Sequence, residues 1–154
     1  MKPNFSGTWQ FSRARSQLGI PAPDGTTLSV KHRDPIFELT RTHVTNGNAA
    51  TLTLDLRTDG SETIRDFPGF SLRVWLQWDG DELVFDGIVR RGEHTGRNTV
   101  RYRIADPNVL IADERYRGTD TNYDNVWWFD RLITPFVSGS DPSDRRGRDR
   151  SDEA

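Results

Sequence analysis

No apolar stripe of period 3.6 in this chain runs beyond two turns, whereas apolar and polar residues alternate with period 2 along most of its length. Alternation sends successive side chains to opposite faces of a strand, so it marks a half-buried sheet. Turn residues interrupt it at about 8–12-residue spacing, the rhythm of an all-β domain. The pattern predicts about ten strands, at 7–13, 26–32, 35–44, 50–58, 61–66, 70–78, 82–91, 97–105, 109–117 and 123–131. Asp59-Gly60 and Asp79-Gly80 are expected to be hairpin turns, because Asp-Gly tolerates the positive φ such turns require. Asp34-Pro35, Asn46-Gly47, Pro68-Gly69 and Asp106-Pro107-Asn108 supply the other reversals. The one long connection, Ala14 to Gly25, has room for a helical turn before Gly19 and Pro21 stop it.

A meander of hairpins exposes two edges unless it closes on itself. The expected fold is therefore all-β, a single up-and-down antiparallel β-barrel closed so that no edge remains. A β-sandwich is the competitor, disfavoured by the lack of long Greek-key returns. Such a barrel needs only its inward half to be apolar, which accommodates a hydrophobic fraction of 33%, well under the usual figure of about 45%. Part of the deficit is local. Residues 138–154 hold one apolar residue, Ala154, and no ring. Residues 1–137 are thus expected to form the domain and 138–154 a disordered charged tail, with an arginine contact to phosphate or anionic lipid as its lesser alternative.

Composition also excludes functions. With no cysteine among 154 residues, there is no disulfide scaffold, thiolate zinc site, iron–sulfur cluster or cysteine nucleophile. Lys and Arg number 21 against 23 Asp and Glu, without the basic excess of a nucleic-acid binder. No apolar run approaches the roughly 20 residues of a membrane span, and Met1 to Gly7 shows no leader pattern, so a cytoplasmic location is expected of the chain as given.

Hairpin arithmetic orients the faces. A two-residue loop at Asp79-Gly80 would pair Trp78 with Asp81, Leu76 with Leu83, Val74 with Phe85 and Leu72 with Gly87. The other face would hold Gln77 with Glu82, Trp75 with Val84, and Arg73 with Asp86 as an external ion pair. The inward set is then Leu28, Val30, Leu52, Leu54, Leu72, Val74, Leu76, Leu83, Phe85, Val100, Tyr102 and Ile104. A five-residue reversal farther on pairs Ile104 with Leu110, Tyr102 with Ala112 and Val100 with Glu114. That puts Glu114 and Tyr116 inside and turns Arg101, Arg103 and Arg115 outward. Arg41, on the face of Phe37 and Leu39, is the expected inward cation. Of Trp127 and Trp128 one must point inward, and Trp128, on the face of Val126, is taken as a pocket residue.

Asn4-Phe5-Ser6-Gly7-Thr8-Trp9 resembles the Gly-x-Trp opening of the lipocalin and fatty-acid-binding (calycin) group. The chain is similar to small bacterial lipocalin-like domains that begin Phe-Ser-Gly-Thr-Trp and continue with an Arg/Lys-Ser segment, here Arg13-Ala14-Arg15-Ser16. Trp78 to Leu83 (Trp-Asp-Gly-Asp-x-Leu), Glu114 to Tyr116 (Glu-Arg-Tyr) and Asp130-Arg131 extend the likeness over roughly residues 4–132. The resemblance implies that Trp9 packs against a basic residue from the end of the barrel. Arg131 fits, since the last strand of a ten-strand meander runs back beside the first.

A barrel of this size is either filled or occupied by a small ligand. The first reading is binding of a small apolar or amphipathic ligand through Phe37, Leu39, Arg41, Leu54, Val74, Phe85, Tyr102, Glu114, Tyr116 and Trp128. The alternative is a non-redox enzyme, a cyclase or isomerase, with Glu114, Tyr102 and Tyr116 as its acid–base groups. His32, His43 and His94 lack ligand spacing and read as surface or strand-end residues, so no metal or cofactor is expected.

Overall fold

The computed structural model describes residues 2–133. The expected boundary at 137 and the charged tail 138–154 lie outside them. The strands are β1 (Gly7–Phe11), β2 (Gln17–Leu18), β3 (Gly25–Arg33), β4 (Ile36–Thr45), β5 (Asn48–Arg57), β6 (Asp59–Phe67), β7 (Phe70–Asp79), β8 (Glu82–Arg91), β9 (His94–Asp106), β10 (Val109–Gly118) and β11 (Asn122–Arg131). Ten of these are the expected strands, with ends moved by at most three residues. The eleventh is the two-residue β2, which pairs Gln17 and Leu18 with Val126 and Asn125. The expected helical turn is present as a single turn over residues 13–15, closed by Ser16 N–H donating to Ser12 O at 3.2 Å.

The strands follow the order β5-β4-β3-β1-β11-β10-β9-β8-β7-β6, every neighbour antiparallel, in a nearly closed barrel. The closure differs from expectation in one place. No ladder joins β5 to β6, so one seam of the wall lacks backbone pairing. Asp59-Gly60 is accordingly not a hairpin turn but the bulged start of β6, which pairs with β7. The Asp59 carboxylate explains the geometry. It accepts from Ser61 N–H at 3.0 Å and Ser61 Oγ at 2.7 Å, which bends the chain onward, while Thr58 N–H is tied to Pro35 O at 2.9 Å. Arg65 spans the seam to Thr53 O at 3.4 Å.

The β7–β8 register is also displaced from the expected one. The turn residues are Gly80 and Asp81, and Asp79 faces Glu82. Gly80 alone takes positive φ, at 64°, which suits a turn with glycine first. Leu76 therefore faces Phe85, Val74 faces Gly87, and Trp75 faces Asp86. The expected pair of Arg73 with Asp86 does not form. Arg73 binds Glu62 at 2.6 Å and lies over the Trp75 ring, and Asp86 binds Arg97 at 2.5 Å. A slip of two residues preserves the faces, so Leu72, Val74, Leu76, Leu83 and Phe85 are all buried.

The closed end carries the tightest packing. Trp9 and Arg131 are register partners across β1 and β11, and the guanidinium carbon stands 4.2 Å from the centroid of the fully buried indole. Arg131 also donates to Ser6 O at 2.8 Å and Pro107 O at 3.0 Å, and Trp9 Nε1 donates to Phe5 O at 3.0 Å. His32, expected at the surface, is buried here. Its Nδ1 accepts Phe5 N–H at 3.1 Å, which leaves the proton on Nε2, 2.6 Å from Asp34 Oδ1. Asp34 also accepts from Thr58 and Trp78. Burial works to raise the Asp34 pKa, but these donors outweigh it and hold the carboxyl below its ordinary value.

Arg131→Met removes the cation–π contact and two charge-assisted hydrogen bonds, an expected loss of about 1–3 kcal/mol in urea unfolding. Stability within about 0.5 kcal/mol of wild type would contradict the assigned closure.

Candidate functional site

Above the closed end the barrel is hollow. A cavity of about 380 Å³ opens at the opposite mouth, within the range of small-molecule sites and far above the size of a packing defect. Its apolar wall includes Leu28, Leu39, Leu54, Leu72, Phe85 and Val100, and Ile20 and Phe70 stand among the lining residues. All but Ile20, which lies between β2 and β3, are inward positions of period-2 strands, so the same alternation that builds the sheet lines the chamber. Gly87 on β8 widens it, since a Cβ there would meet Phe85 at 3.0 Å.

Of the expected ligand residues, Leu39, Arg41, Leu54, Phe85, Tyr102, Glu114 and Tyr116 line the cavity. Phe37 and Val74 point inward but are buried in the core rather than on the cavity wall. Trp128 is a correction. It faces outward beneath Arg15, whose guanidinium carbon lies 5.1 Å from its ring centroid, and its N–H donates to Ser16 Oγ at 2.9 Å. Trp127 takes the inward place with Asn125 and Phe129, all buried.

Glu114 is held by these neighbours. The β9–β10 register is the expected one, with Ile104 opposite Leu110, Tyr102 opposite Ala112 and Val100 opposite Glu114. Glu114 Oε1 accepts from Trp127 Nε1 and Asn125 Nδ2, both at 2.8 Å. Asn125, 2% exposed, in turn accepts Gly19 N–H at 2.8 Å. The carboxylate is thereby linked through one amide to the segment that carries Ile20 to the mouth.

Arg41 stands on β4, separated from β10 by β3, β1 and β11. Among the described residues its guanidinium has no hydrogen-bond or ion-pair partner, and its Nε is a buried atom left without one. Asn98 Oδ1, also on the cavity wall, is the second such atom. An unpartnered buried donor or acceptor costs about 1–3 kcal/mol, more for a charged group.

The electrostatics place the polar groups together. Burial, then repulsion from Arg41, lowers the His43 pKa to about 4 against an opposing pull from Glu114. Burial, with Glu114 second, pushes the Tyr102 phenol up; for Tyr123 the same causes, with Tyr116, take it to about 12. These phenols stay protonated at neutral pH, so they can offer an O–H donor but not a base. His43 itself was not expected here. It sits two residues after Arg41 on the inward face, its Nδ1 2.6 Å from Thr26 Oγ1 and its ring stacked on Trp127. At the mouth Tyr116 and Tyr123 stack at 5.0 Å. Tyr116 fits only because Gly96 and Gly118 lack side chains, a Cβ on Gly96 falling 2.1 Å from its hydroxyl.

The architecture is similar to that of several solved structures. A secretory abundant heat soluble protein from Ramazzottius varieornatus aligns with a TM-score of 0.63 at 12% identity, over 86% of this chain and 98% of that one. Zebrafish ileal bile acid-binding protein in complex with cholic acid gives 0.55 at 14%, over 83% and 98%. Human cRBP IV gives 0.56 at 14%, over 84% and 99%. The shared fold is a nearly closed antiparallel β-barrel. At these identities the likeness is one of fold. No protein-family model matches the chain, and no curated protein matches it in sequence. Among the described residues this barrel has no cluster of three or more His, Asp or Glu able to hold a metal ion, and no helix long and apolar enough to cross a membrane.

The position of His43 yields a prediction. The folded ring is expected to titrate near pH 4 and an unfolded one near its ordinary value of about 6.5. Its contribution to stability is therefore whole above that ordinary value and is lost as the pH falls towards 4. Ring-proton NMR reads the midpoint directly, and His43→Gln should flatten this part of the stability profile. A midpoint near the ordinary value would contradict the buried placement.

Proposed function

We propose that this protein binds a small amphipathic ligand inside the barrel, its apolar part against Leu39, Leu54 and Phe85 and its anionic end at Arg41. The observation that carries the reading is the unpartnered Arg41 guanidinium on the wall of a largely apolar chamber. A guanidinium with a buried donor that no described residue accepts is expensive to keep. A ligand carboxylate would supply the acceptors through charge-assisted hydrogen bonds, bidentate where geometry allows. The apolar wall rewards burial of the remainder at about 25 cal/mol per Å² removed from water. Tyr102, Tyr116, Glu114 and Trp127 would frame the polar end. The comparison with the zebrafish protein supports this reading, since its ligand, cholic acid, is itself an amphipathic carboxylic acid.

Dodecanoate is a suitable probe. It should bind, and Arg41→Gln should weaken that binding at least about tenfold, or 1.4 kcal/mol, by calorimetry. Equal affinity in the two proteins, or no binding to wild type, would overturn the assignment.

A further inference from the structure

We infer that the ligand's polar end carries an ammonium beside the carboxylate, the cation being read by Glu114 across the cavity from Arg41. This rests on the reading above, in which Arg41 receives the anion, and it adds a second charge of the opposite sign.

Three observations converge. The first is the way Glu114 is held: Oε1 is filled by Trp127 and Asn125, which fix the carboxylate, and no described residue donates to Oε2. The second is that two opposite charges share one chamber without pairing. Arg41 and Glu114 both line the cavity, and no ion pair joins them, because three strands separate β4 from β10. They are nonetheless close enough for both to act on His43, Tyr102 and Tyr123. The third is Asn98. In the β9–β10 ladder it faces Tyr116 and so lies diagonal to Glu114 on the inner wall, and its Oδ1 is buried with no donor. One wall thus presents acceptors that lack donors, and the other presents a cation that lacks an acceptor.

A simple carboxylic acid would satisfy Arg41 and set a second negative charge against Glu114. A simple amine would do the reverse. A head group bearing both charges answers each wall and brings no net charge into a low-dielectric chamber. An ammonium, with three donors and no acceptor, can engage Glu114 Oε2 and Asn98 Oδ1 together, and its bonds to a carboxylate are the stronger kind. The ligand class is therefore a zwitterionic amphipath, an α-amino acid head on an apolar chain.

Calorimetry with dodecanoate, α-aminododecanoate, α-hydroxydodecanoate and dodecylamine tests this on wild type, Arg41→Gln and Glu114→Gln. The Gln side chain keeps an oxygen for Trp127 and Asn125 but loses the charge, and thermal melts confirm that each variant is folded. The amino acid should bind wild type at least tenfold tighter than dodecanoate. Glu114→Gln should abolish that preference. If dodecanoate binds through Arg41 and the amino acid gains nothing, this inference is overturned and the anion site stands. If the hydroxy acid gains as much as the amino acid, the ammonium assignment is overturned. If dodecanoate fails to bind, or Arg41→Gln leaves it unaffected, the underlying reading fails and this inference with it.

Discussion

The antiparallel pairing of the first strand with the last is the constraint on which the rest depends. Ten twisted strands in a meander bury one face only if the sheet curls round and meets itself. β1 and β11 perform that closure in register, with Trp9 opposite Arg131. The contact sits at one end of the barrel, where Phe5, Trp9, His32, Phe37 and Trp78 form a plug of rings joined to the Asp34 carboxylate. Because the plug satisfies the packing demand at this end, the other end need not be filled. The cavity is the space left between a closed base and an open mouth.

The price of that space is polar. A filled barrel would have aliphatic side chains where Arg41, His43, Asn98, Tyr102 and Glu114 stand. Three of the five have protein neighbours or protonation states that reconcile them with burial: Glu114 has two donors, His43 is neutral beside Thr26, and Tyr102 keeps its proton. Arg41 and Asn98 do not, and among the described residues they are the ones with a side-chain polar atom buried without a partner. Unmet polar demand confined to one cavity is the feature that separates a binding site from a loosely packed core.

Most of the barrel was legible in the sequence because strand parity is a coarse but durable signal. The expected β7–β8 register was two residues off, yet every inward residue stayed inward, since parity survives an even slip. The β9–β10 register and the inward Glu114 followed from a loop length alone. The errors have local causes. Trp128 was paired with its apolar neighbour Val126, but Tyr123, Asn125 and Phe129 share the face of Trp127, and Arg15 covers Trp128 from outside. Parity also placed His43 with Arg41, a signal available in the sequence and outweighed there by the habit of histidines to sit at strand ends. The seam between β5 and β6 left no trace in the alternation, because it depends on the Asp59 carboxylate capping Ser61 rather than on any face pattern.

The central claim is that a chamber with a bare cation at its wall takes up an anion-bearing amphipath. NMR of dodecanoate labelled with carbon-13 at its carboxyl tests this most directly. A bound resonance whose carboxyl remains ionised well below the ordinary carboxylate range is predicted, because the Arg41 guanidinium beside it favours the charged form. A bound carboxyl that titrates in the ordinary range, or the absence of any bound resonance, would contradict it.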